Sequence, residues 1–236
     1  MTRLLVSVRD AAEARVAVEE GVDLIDLKEP SYGSLGCVTP TTAQEVAALL
    51  DGQTPLSMAL GELVDYFPPP AEATMTPLAV THGLPSGLGF VKLGLARCAN
   101  WDWAKCWREL GQRLPRGVGR VYVVYADAAL ADAPAMTDVV EEAAKADARA
   151  VLVDTYTKDG RGLFDFWTGE TLRRFTADVQ RHDMLAVVGG GLTTATIPQA
   201  AECGADYIAV RGAACEGPRT GTVSAARIRE VRKLLR

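Results

Sequence analysis

Residues 3–28 read RLLVSVRDAAEARVAVEEGVDLIDLK and contain one complete unit of strand, helix and strand. The runs 3–8 and 23–28 are short, apolar and rich in branched residues, as buried strands are. Between them lies an amphipathic run that starts at the capping residue Asp10 and stops at Gly21, as a helix does. This stretch therefore predicts two parallel strands joined by a helical crossover.

The same alternation continues along the chain. Further strands are predicted at 55–60, 89–95, 120–127, 150–155, 184–190 and 206–212, with helical patterns between them. The triple proline at 68–70 predicts a loop before a weak third helix. About eight such units in 236 residues favour an α/β fold with a single domain, 1–236, that closes into a (β/α)₈ TIM barrel. An open, doubly wound sheet is the structural alternative.

The composition narrows the class of protein. The net charge of −5 gives no electrostatic reason to expect binding to nucleic acid or to an anionic membrane. No apolar run approaches the ~20 residues of a membrane span, and no signal peptide is recognisable, so we expect a cytoplasmic protein. Five scattered cysteines and two histidines make a zinc site improbable, and we expect no metal.

Lysine is scarce in this sequence, because only six of the 25 basic residues are Lys. Three of the six fall in helical patterns and are expected at the surface. The others are Lys28 and Lys92, at or near the ends of the second and fourth strands, and Lys158, just after the sixth. Asp26 lies on the same strand as Lys28. Asp154 lies near the end of the sixth strand, four residues before Lys158. Since active sites of such barrels lie at the carboxyl ends of the strands, these five residues are predicted to converge.

Carbonyl chemistry suits this group of charges. A neutral amine attacks an aldehyde or ketone and forms a Schiff base, which accepts electrons during carbanion formation. Neighbouring cations and partial burial lower the pKa of a lysine, and carboxylates beside the imine can transfer protons. The structural alternative is a salt bridge that helps to close the barrel, such as Asp26 with Lys28. Burying five charges for structure alone is unfavourable, however, and this favours a functional role.

A phosphate site is predicted at the last two strands. The seventh strand ends in Gly189, Gly190 and Gly191, and the eighth ends in Arg211 and Gly212. The loops at these places often present backbone N–H groups to a phosphate. Arg211 is either a phosphate contact or a member of an ion pair, and the sequence leaves both open. His82 lies in the irregular third unit and could belong to a lid.

The chain resembles the (5-formylfuran-3-yl)methyl phosphate synthase family of methanofuran and methylofuran biosynthesis. The likeness covers nearly the whole chain and rests on five stretches in order: DLKEPSYGSLG (26–36), VKLGL (91–95), LVDTYTKDGRGLFDF (152–166), VVGGGL (187–192) and DYIAVRGAACEGPRTGTV (206–223). DTxxKDG followed by LFDF, together with the GSLG loop, is more specific than a general phosphate loop.

This resemblance implies a barrel similar to class I aldolases. The implied reaction condenses two molecules of glyceraldehyde 3-phosphate into a furan aldehyde with one phosphomethyl group, and one phosphate and two waters are lost. The family's catalytic positions fall on Asp26, Lys28, Lys92, Asp154 and Lys158, with Lys28 as the Schiff-base lysine and no cofactor. Ser34 of the GSLG loop, which we expect to be flexible, is then a substrate contact.

Two other functions stay open at this point. One is a different class I phosphosugar aldolase or a phosphosugar epimerase on the same barrel. The other is a phosphate-binding regulatory barrel without activity, which the three lysines at the rim disfavour. Three tryptophans on the fourth helical pattern also suggest a homo-oligomer, although packing within the chain explains them equally well.

Overall fold

A closed barrel of eight parallel strands forms the centre of the computed structural model, which describes residues 2–67 and 83–235. The strands are β1 (Arg3–Val8), β2 (Leu24–Leu27), β3 (Leu56–Glu62), β4 (Phe90–Gly94), β5 (Gly119–Tyr125), β6 (Ala150–Asp154), β7 (Leu185–Val188) and β8 (Tyr207–Val210). Each strand pairs with the next, and β8 pairs with β1, so the sheet closes. The predicted (β/α)₈ barrel is confirmed, and the open-sheet alternative is wrong.

Helices cover the outside of the barrel. They are α1 (Ala11–Glu19), α2 (Pro40–Leu50), α3 (Trp103–Gly111), α4 (Ala128–Ala131), α5 (Met136–Lys145), α6 (Gly169–Arg181), α7 (Ile197–Glu202) and α8 (Ala225–Lys233). Asp10 caps α1, and Thr39 and Thr168 cap α2 and α6, each through a side-chain oxygen that accepts a backbone N–H. The triple proline, most of the segment in which the weak third helix was predicted, and His82 lie outside the described residues.

Most predicted strands are a little longer than the observed ones. The largest differences are at β7 and β8, which were predicted to reach residues 190 and 212 and end at Val188 and Val210. Gly190 and Gly191 have φ angles of +92° and +64°, a backbone conformation that does not continue a strand and that favours glycine. The chain therefore turns away from the sheet where a phosphate loop was expected.

Strand β2 illustrates how the two faces of the barrel divide the side chains. Ile25 and Leu27 are fully buried in the layer between strands and helices, together with Ala14 and Ala17 of α1. Asp26 and the residue that follows the strand, Lys28, point into the barrel instead. The period of two along a strand thus carries both charges to the interior face.

Strand β3 contains a bulge near its carboxyl end. Ala59 is the partner of Lys92 on β4, but the next paired residues are Glu62 and Gly94, so three steps on β3 match two on β4. The extra residue brings the Glu62 side chain against Gly94, where an added Cβ would overlap the carboxylate. Glu62 therefore reaches the barrel rim only because position 94 is glycine.

Candidate active site

A cavity of about 370 Å³ opens at the carboxyl ends of the strands. All five charged residues predicted to converge line it: Asp26, Lys28, Lys92, Asp154 and Lys158. The loops after β7 and β8 form another part of the wall and contribute the predicted phosphate residues Gly190, Gly191, Arg211 and Gly212. Nine of the ten candidate residues therefore line one opening, and Ser34 lies just behind it.

Asp26 and Lys92 form the deeper of two charged groups. Their side chains make a buried ion pair, and they are 1% and 3% exposed. Ser7 and Ser57 also donate hydrogen bonds to the Asp26 carboxylate, at 2.9 and 2.5 Å. Each carboxylate oxygen of Asp26 thus has a partner. Through the two serines and Lys92, the carboxylate connects its own strand, β2, to β1, β3 and β4.

Asp154 is the centre of the second group, at the rim. One of its oxygens accepts hydrogen bonds from Lys158 Nζ at 3.1 Å and from the Thr155 backbone at 2.8 Å. The other lies 3.6 Å from Lys28 Nζ and 3.2 Å from Ser34 Oγ. Burial opposes ionisation, but the two ammonium groups and the Thr155 N–H hold the pKa of Asp154 at about 2. This carboxyl group therefore stays charged at neutral pH.

The three lysines differ in how their nitrogens are occupied. Lys158 Nζ donates to Asp154, to the Thr155 carbonyl at 2.6 Å and to the Thr155 hydroxyl at 3.2 Å, which uses all three protons of an ammonium group. Lys92 is held by Asp26. Lys28, in contrast, makes no hydrogen bond through Nζ to any described residue. Burial lowers the pKa of both Lys92 and Lys158, against the attraction of their carboxylates.

The glycine loop after β7 lies against the strand that carries Asp154. A Cβ added at Gly190 would approach the Thr155 backbone nitrogen to 3.1 Å, so only glycine fits there without a shift. The Gly190 carbonyl accepts the Leu163 N–H at 2.7 Å, which fixes the orientation of the loop. No acceptor among residues 2–67 and 83–235 is found for the N–H groups of Gly190 and Gly191. These two groups are available to an anion in the cavity.

Arg211 was predicted as either a phosphate contact or part of an ion pair, and its geometry favours the ion pair. Its guanidinium forms a two-pronged pair with the buried Glu13 carboxylate of α1. It also donates to the carbonyls of Ser7, Arg219 and Gly221, at 3.0, 2.9 and 2.7 Å. All five N–H donors of Arg211 are therefore engaged within the protein. The side chain fixes the loop after β8 instead of facing the cavity with free donors.

The GSLG loop differs from the expectation of a flexible substrate loop. Leu35 is 1% exposed and packs inside the barrel mouth with Ala59 and Tyr125. Ser34 is buried as well and donates to the Thr155 carbonyl at 2.9 Å and to Asp154. Leu35 therefore anchors this loop by an apolar side chain, which disfavours the flexibility that was expected. Ser34 accordingly positions Asp154 from behind the cavity.

Sequence reasoning missed two carboxylates near the rim. Glu62 accepts hydrogen bonds from the Tyr125 hydroxyl at 2.6 Å and from the Ala96 N–H at 2.9 Å, and burial raises its pKa. Asp127 accepts from the Tyr156 and Thr157 N–H groups at 2.7 and 2.8 Å and so fixes the turn before Lys158. The GEL (61–63) and YAD (125–127) contexts gave no signal for Glu62 or Asp127, since both roles arise from contacts between residues far apart in the sequence.

Several other polar and aromatic side chains lie away from the cavity. His182 is exposed at the end of α6. Trp103 and Trp107 pack around the Tyr122 ring in the core, so they are not available as a subunit contact. Trp101 is half-buried against Phe67, and the homo-oligomer stays a prediction. Burial raises the pKa of Cys37 to about 11, which keeps its thiol protonated.

In the described part of the chain, no group of three or more His, Cys, Asp or Glu side chains is arranged to hold a metal ion. None of the helices described above combines the length and the hydrophobicity that a membrane-spanning helix requires.

Many solved structures match this barrel, and two of them illustrate the likeness. Phosphoribosyl anthranilate isomerase from Thermotoga maritima aligns with a TM-score of 0.64 at 17% identity and covers 100% of this chain and 98% of its own. 3-Hexulose-6-phosphate synthase from Salmonella typhimurium aligns with a TM-score of 0.61 at 16% identity, over 99% and 98% of the two chains. At such low identity the likeness establishes the fold alone.

Sequence relatives are more specific. The profile of the 4-HFC-P synthase family matches residues 4–232. The (5-formylfuran-3-yl)methyl phosphate synthase of Methanothermobacter thermautotrophicus is 31% identical over 98% of both chains. The enzyme of the same name from Methanopyrus kandleri is 35% identical over 91% of this chain and 90% of its own. The chain therefore belongs to the 4-HFC-P synthase family.

Proposed function

We propose that this protein condenses two molecules of glyceraldehyde 3-phosphate into (5-formylfuran-3-yl)methyl phosphate, through a Schiff base on Lys28, in the biosynthesis of a methylofuran-type C1 carrier. One inorganic phosphate and two waters leave, and the atoms balance without an oxidant or a reductant. Membership of the family and the names of the relatives support the product.

The single observation that carries the assignment to Lys28 is the state of its nitrogen. Lys28 Nζ faces the cavity, makes no hydrogen bond to the described residues, and lies 3.6 Å from the ionised Asp154 carboxylate. A nucleophilic amine needs this freedom, and the iminium cation that it forms needs a nearby fixed anion. Lys92 and Lys158, in contrast, are each committed to a carboxylate.

In the proposed mechanism, one glyceraldehyde 3-phosphate condenses through its aldehyde with Lys28 and releases water, and the second triose phosphate isomerises to its ketone form. Loss of the proton at C2 of the imine gives an enamine, which expels the C3 phosphate by β-elimination and leaves a three-carbon enol bound to Lys28. The terminal carbon of this enol attacks the ketone carbon of the second triose phosphate, which forms the branched carbon skeleton of the product. The free hydroxyl of the second triose then closes the ring on the C2 carbonyl, two waters are lost, and hydrolysis of the imine releases the furan aldehyde. The iminium accepts the electrons in the carbanion-forming step, so this route involves no metal or organic cofactor.

The other charged residues take roles that match their surroundings. Asp154 stays ionised and stabilises the iminium cation. Lys92 accepts the proton next to the imine, because burial already weakens its hold on a proton and Asp26 compensates the charge that results. Lys158 is held in place by Asp154 and Thr155 and keeps Asp154 ionised. The N–H groups of Gly190 and Gly191 bind a phosphoryl group of the substrate.

Reductive trapping tests this proposal. The protein is treated with borohydride in the presence of glyceraldehyde 3-phosphate, and its peptides are mapped by mass spectrometry. We expect a covalent adduct on Lys28 and none in Lys28→Ala. Lys105→Ala, at an exposed position on α3, is the matched control and should trap as the wild type does. An adduct confined to another lysine, or full activity in Lys28→Ala, would overturn the assignment.

Analysis of the product separates this reaction from the alternatives. A furan aldehyde absorbs in the near ultraviolet, whereas the product of another phosphosugar aldolase or of an epimerase does not. Trapping on Lys28 without a new chromophore would indicate such an aldolase. No adduct with any triose phosphate would support a regulatory barrel without activity.

A further inference from the structure

Arg219 is an arginine of the cavity wall that has no carboxylate partner among the described residues. It lies on the loop after β8, is half-buried, and lines the cavity beside Gly190, Gly191 and Gly212. A Cβ added at Gly212 would lie 3.8 Å from the Arg219 Cβ, so the two residues are in close contact. Within the described ranges, no carboxylate lies at ion-pairing distance from its guanidinium. A cation in this situation attracts an anion into the cavity.

The loop that carries Arg219 is held rigidly. Residues Cys215 and Val223 pair as an isolated bridge at its base, and Glu216 N–H donates to the Thr222 carbonyl at 2.9 Å. Arg211 donates hydrogen bonds to the carbonyls of Arg219 and Gly221 in this loop, and Arg211 is itself paired with Glu13. The buried ion pair therefore fixes the backbone from which Arg219 projects.

The Arg219 side chain also contacts the segment that follows Lys28. It donates to the Pro30 carbonyl at 2.6 Å and to the Gly33 carbonyl at 3.0 Å. These two bonds use two of its five N–H donors. The remaining three have no acceptor in the part of the chain that the structure describes. The Arg219 guanidinium thus connects the segment 30–33 to the part of the cavity wall that contains the N–H groups of Gly190 and Gly191.

We propose that Arg219 binds the phosphoryl group of the substrate together with the N–H groups of Gly190 and Gly191, and thereby couples phosphate binding to the order of the segment 30–33 behind Lys28. This inference rests on the proposed function, since it identifies the residue that selects phosphorylated over unphosphorylated aldehydes. The planar guanidinium can donate two parallel hydrogen bonds to phosphate oxygens while it still holds the two carbonyls.

A comparison of two aldehydes tests the selectivity. Borohydride trapping on Lys28 is measured at subsaturating glyceraldehyde 3-phosphate and, separately, with unphosphorylated glyceraldehyde. In Arg219→Met we expect trapping with the phosphorylated aldehyde to fall roughly 10- to 100-fold, whereas trapping with glyceraldehyde changes less than about twofold. Arg219→Lys, which keeps the charge but loses the planar donor pair, should lie between the two. Equal losses with both aldehydes, or no loss with either, would overturn the proposal.

Arg229→Met is the matched control, because it removes the same charge from an exposed site on α8, where Arg229 pairs with Glu20. It should trap both aldehydes as the wild type does. Thermal melting of each variant confirms that it is folded.

Inorganic phosphate provides a test that does not depend on the Schiff base. Calorimetry should show phosphate binding to the wild type and to Arg229→Met, and binding at least tenfold weaker to Arg219→Met. Hydrogen exchange of the peptide covering residues 29–36 should slow when phosphate is added to the wild type but not to Arg219→Met. Absence of both effects would overturn the inference, even if Lys28 is trapped normally. Both effects without any trapping on Lys28 would support Arg219 and reject the proposed function.

Discussion

Replacing Asp26 by Asn isolates the charge of the deeper ion pair. The substitution keeps the size of the side chain, and the hydroxyls of Ser7 and Ser57 can rotate to satisfy an amide, so few hydrogen bonds are lost. The substitution removes the negative charge beside Lys92, and Lys92 is only 3% exposed. Removing one partner of a buried pair lowers the free energy of unfolding by about 3–5 kcal/mol.

Proton loss from Lys92 sets a ceiling on this destabilisation. A lysine in the unfolded chain has a pKa of about 10.4, and each pH unit corresponds to about 1.36 kcal/mol. At pH 7 the penalty for a buried cation therefore cannot exceed about 4.6 kcal/mol, because beyond that value the amine gives up its proton. At pH 9 the same ceiling is about 1.9 kcal/mol. The folded variant binds fewer protons than its unfolded chain, so its stability rises with pH in this range.

The assay is urea unfolding of Asp26→Asn and of the double variant Asp26→Asn/Lys92→Met at pH 7 and pH 9. The double variant lacks both charges and serves as the reference. We expect Asp26→Asn to be less stable than the double variant by about 3–4.6 kcal/mol at pH 7 and by no more than about 1.9 kcal/mol at pH 9. In thermal melting, 4 kcal/mol corresponds to roughly 8–16 °C for a chain of this size. A difference that does not change with pH would refute this reasoning.

Three further substitutions probe neighbouring contacts. The first is Glu62→Gln, for which urea unfolding should show that the free energy of unfolding, minus that of the wild type, increases as the pH rises from 4.5 to 7. Because the pKa of Glu62 is raised by burial, its ionisation destabilises the folded wild type, and a difference that does not change with pH would contradict this. Gly94→Ala should lower the free energy of unfolding by about 1–3 kcal/mol, and a second substitution, Glu62→Ala, should remove the clash and restore it. Arg211→Met should cost about 3–5 kcal/mol by leaving Glu13 unpaired; Glu13→Gln in the same chain should recover most of that loss, and its failure to do so would show that the ion pair is not the cause.

The barrel and its charged centre were predictable because both depend on short sequence periods. Alternation of strands and helices fixes the order of the elements, and the period of two fixes which face Asp26 and Lys28 share. The carboxyl ends of parallel strands then meet at one rim, so Lys92, Asp154 and Lys158 could be placed there without coordinates. Spacing could not divide the five residues into two groups, since that division depends on depth within the barrel.

The remaining features depend on contacts that no period encodes. Arg211 has the correct spacing for an inward side chain, but Glu13 of α1 captures its guanidinium, and no pattern links positions so far apart. Arg219 lies on a loop without regular structure and is one of nineteen arginines. Glu62 faces the rim because a bulge shifts β3 by one residue, and a bulge reverses the face that alternation predicts.

The charges around the cavity suggest why three lysines and an arginine are gathered there. Arg211 and Arg227 also line the cavity, but each is paired with a glutamate. The other four cations of the described lining are Lys28, Lys92, Lys158 and Arg219, and they face the two carboxylates Asp26 and Asp154, which leaves an excess of two positive charges if every amine is protonated. A phosphoryl group brings a charge of about −1.5 to −2 and offsets the same excess. Phosphate binding therefore helps the site to carry a positive charge on the imine that follows, so the residues that bind the phosphoryl group also assist the chemistry at Lys28.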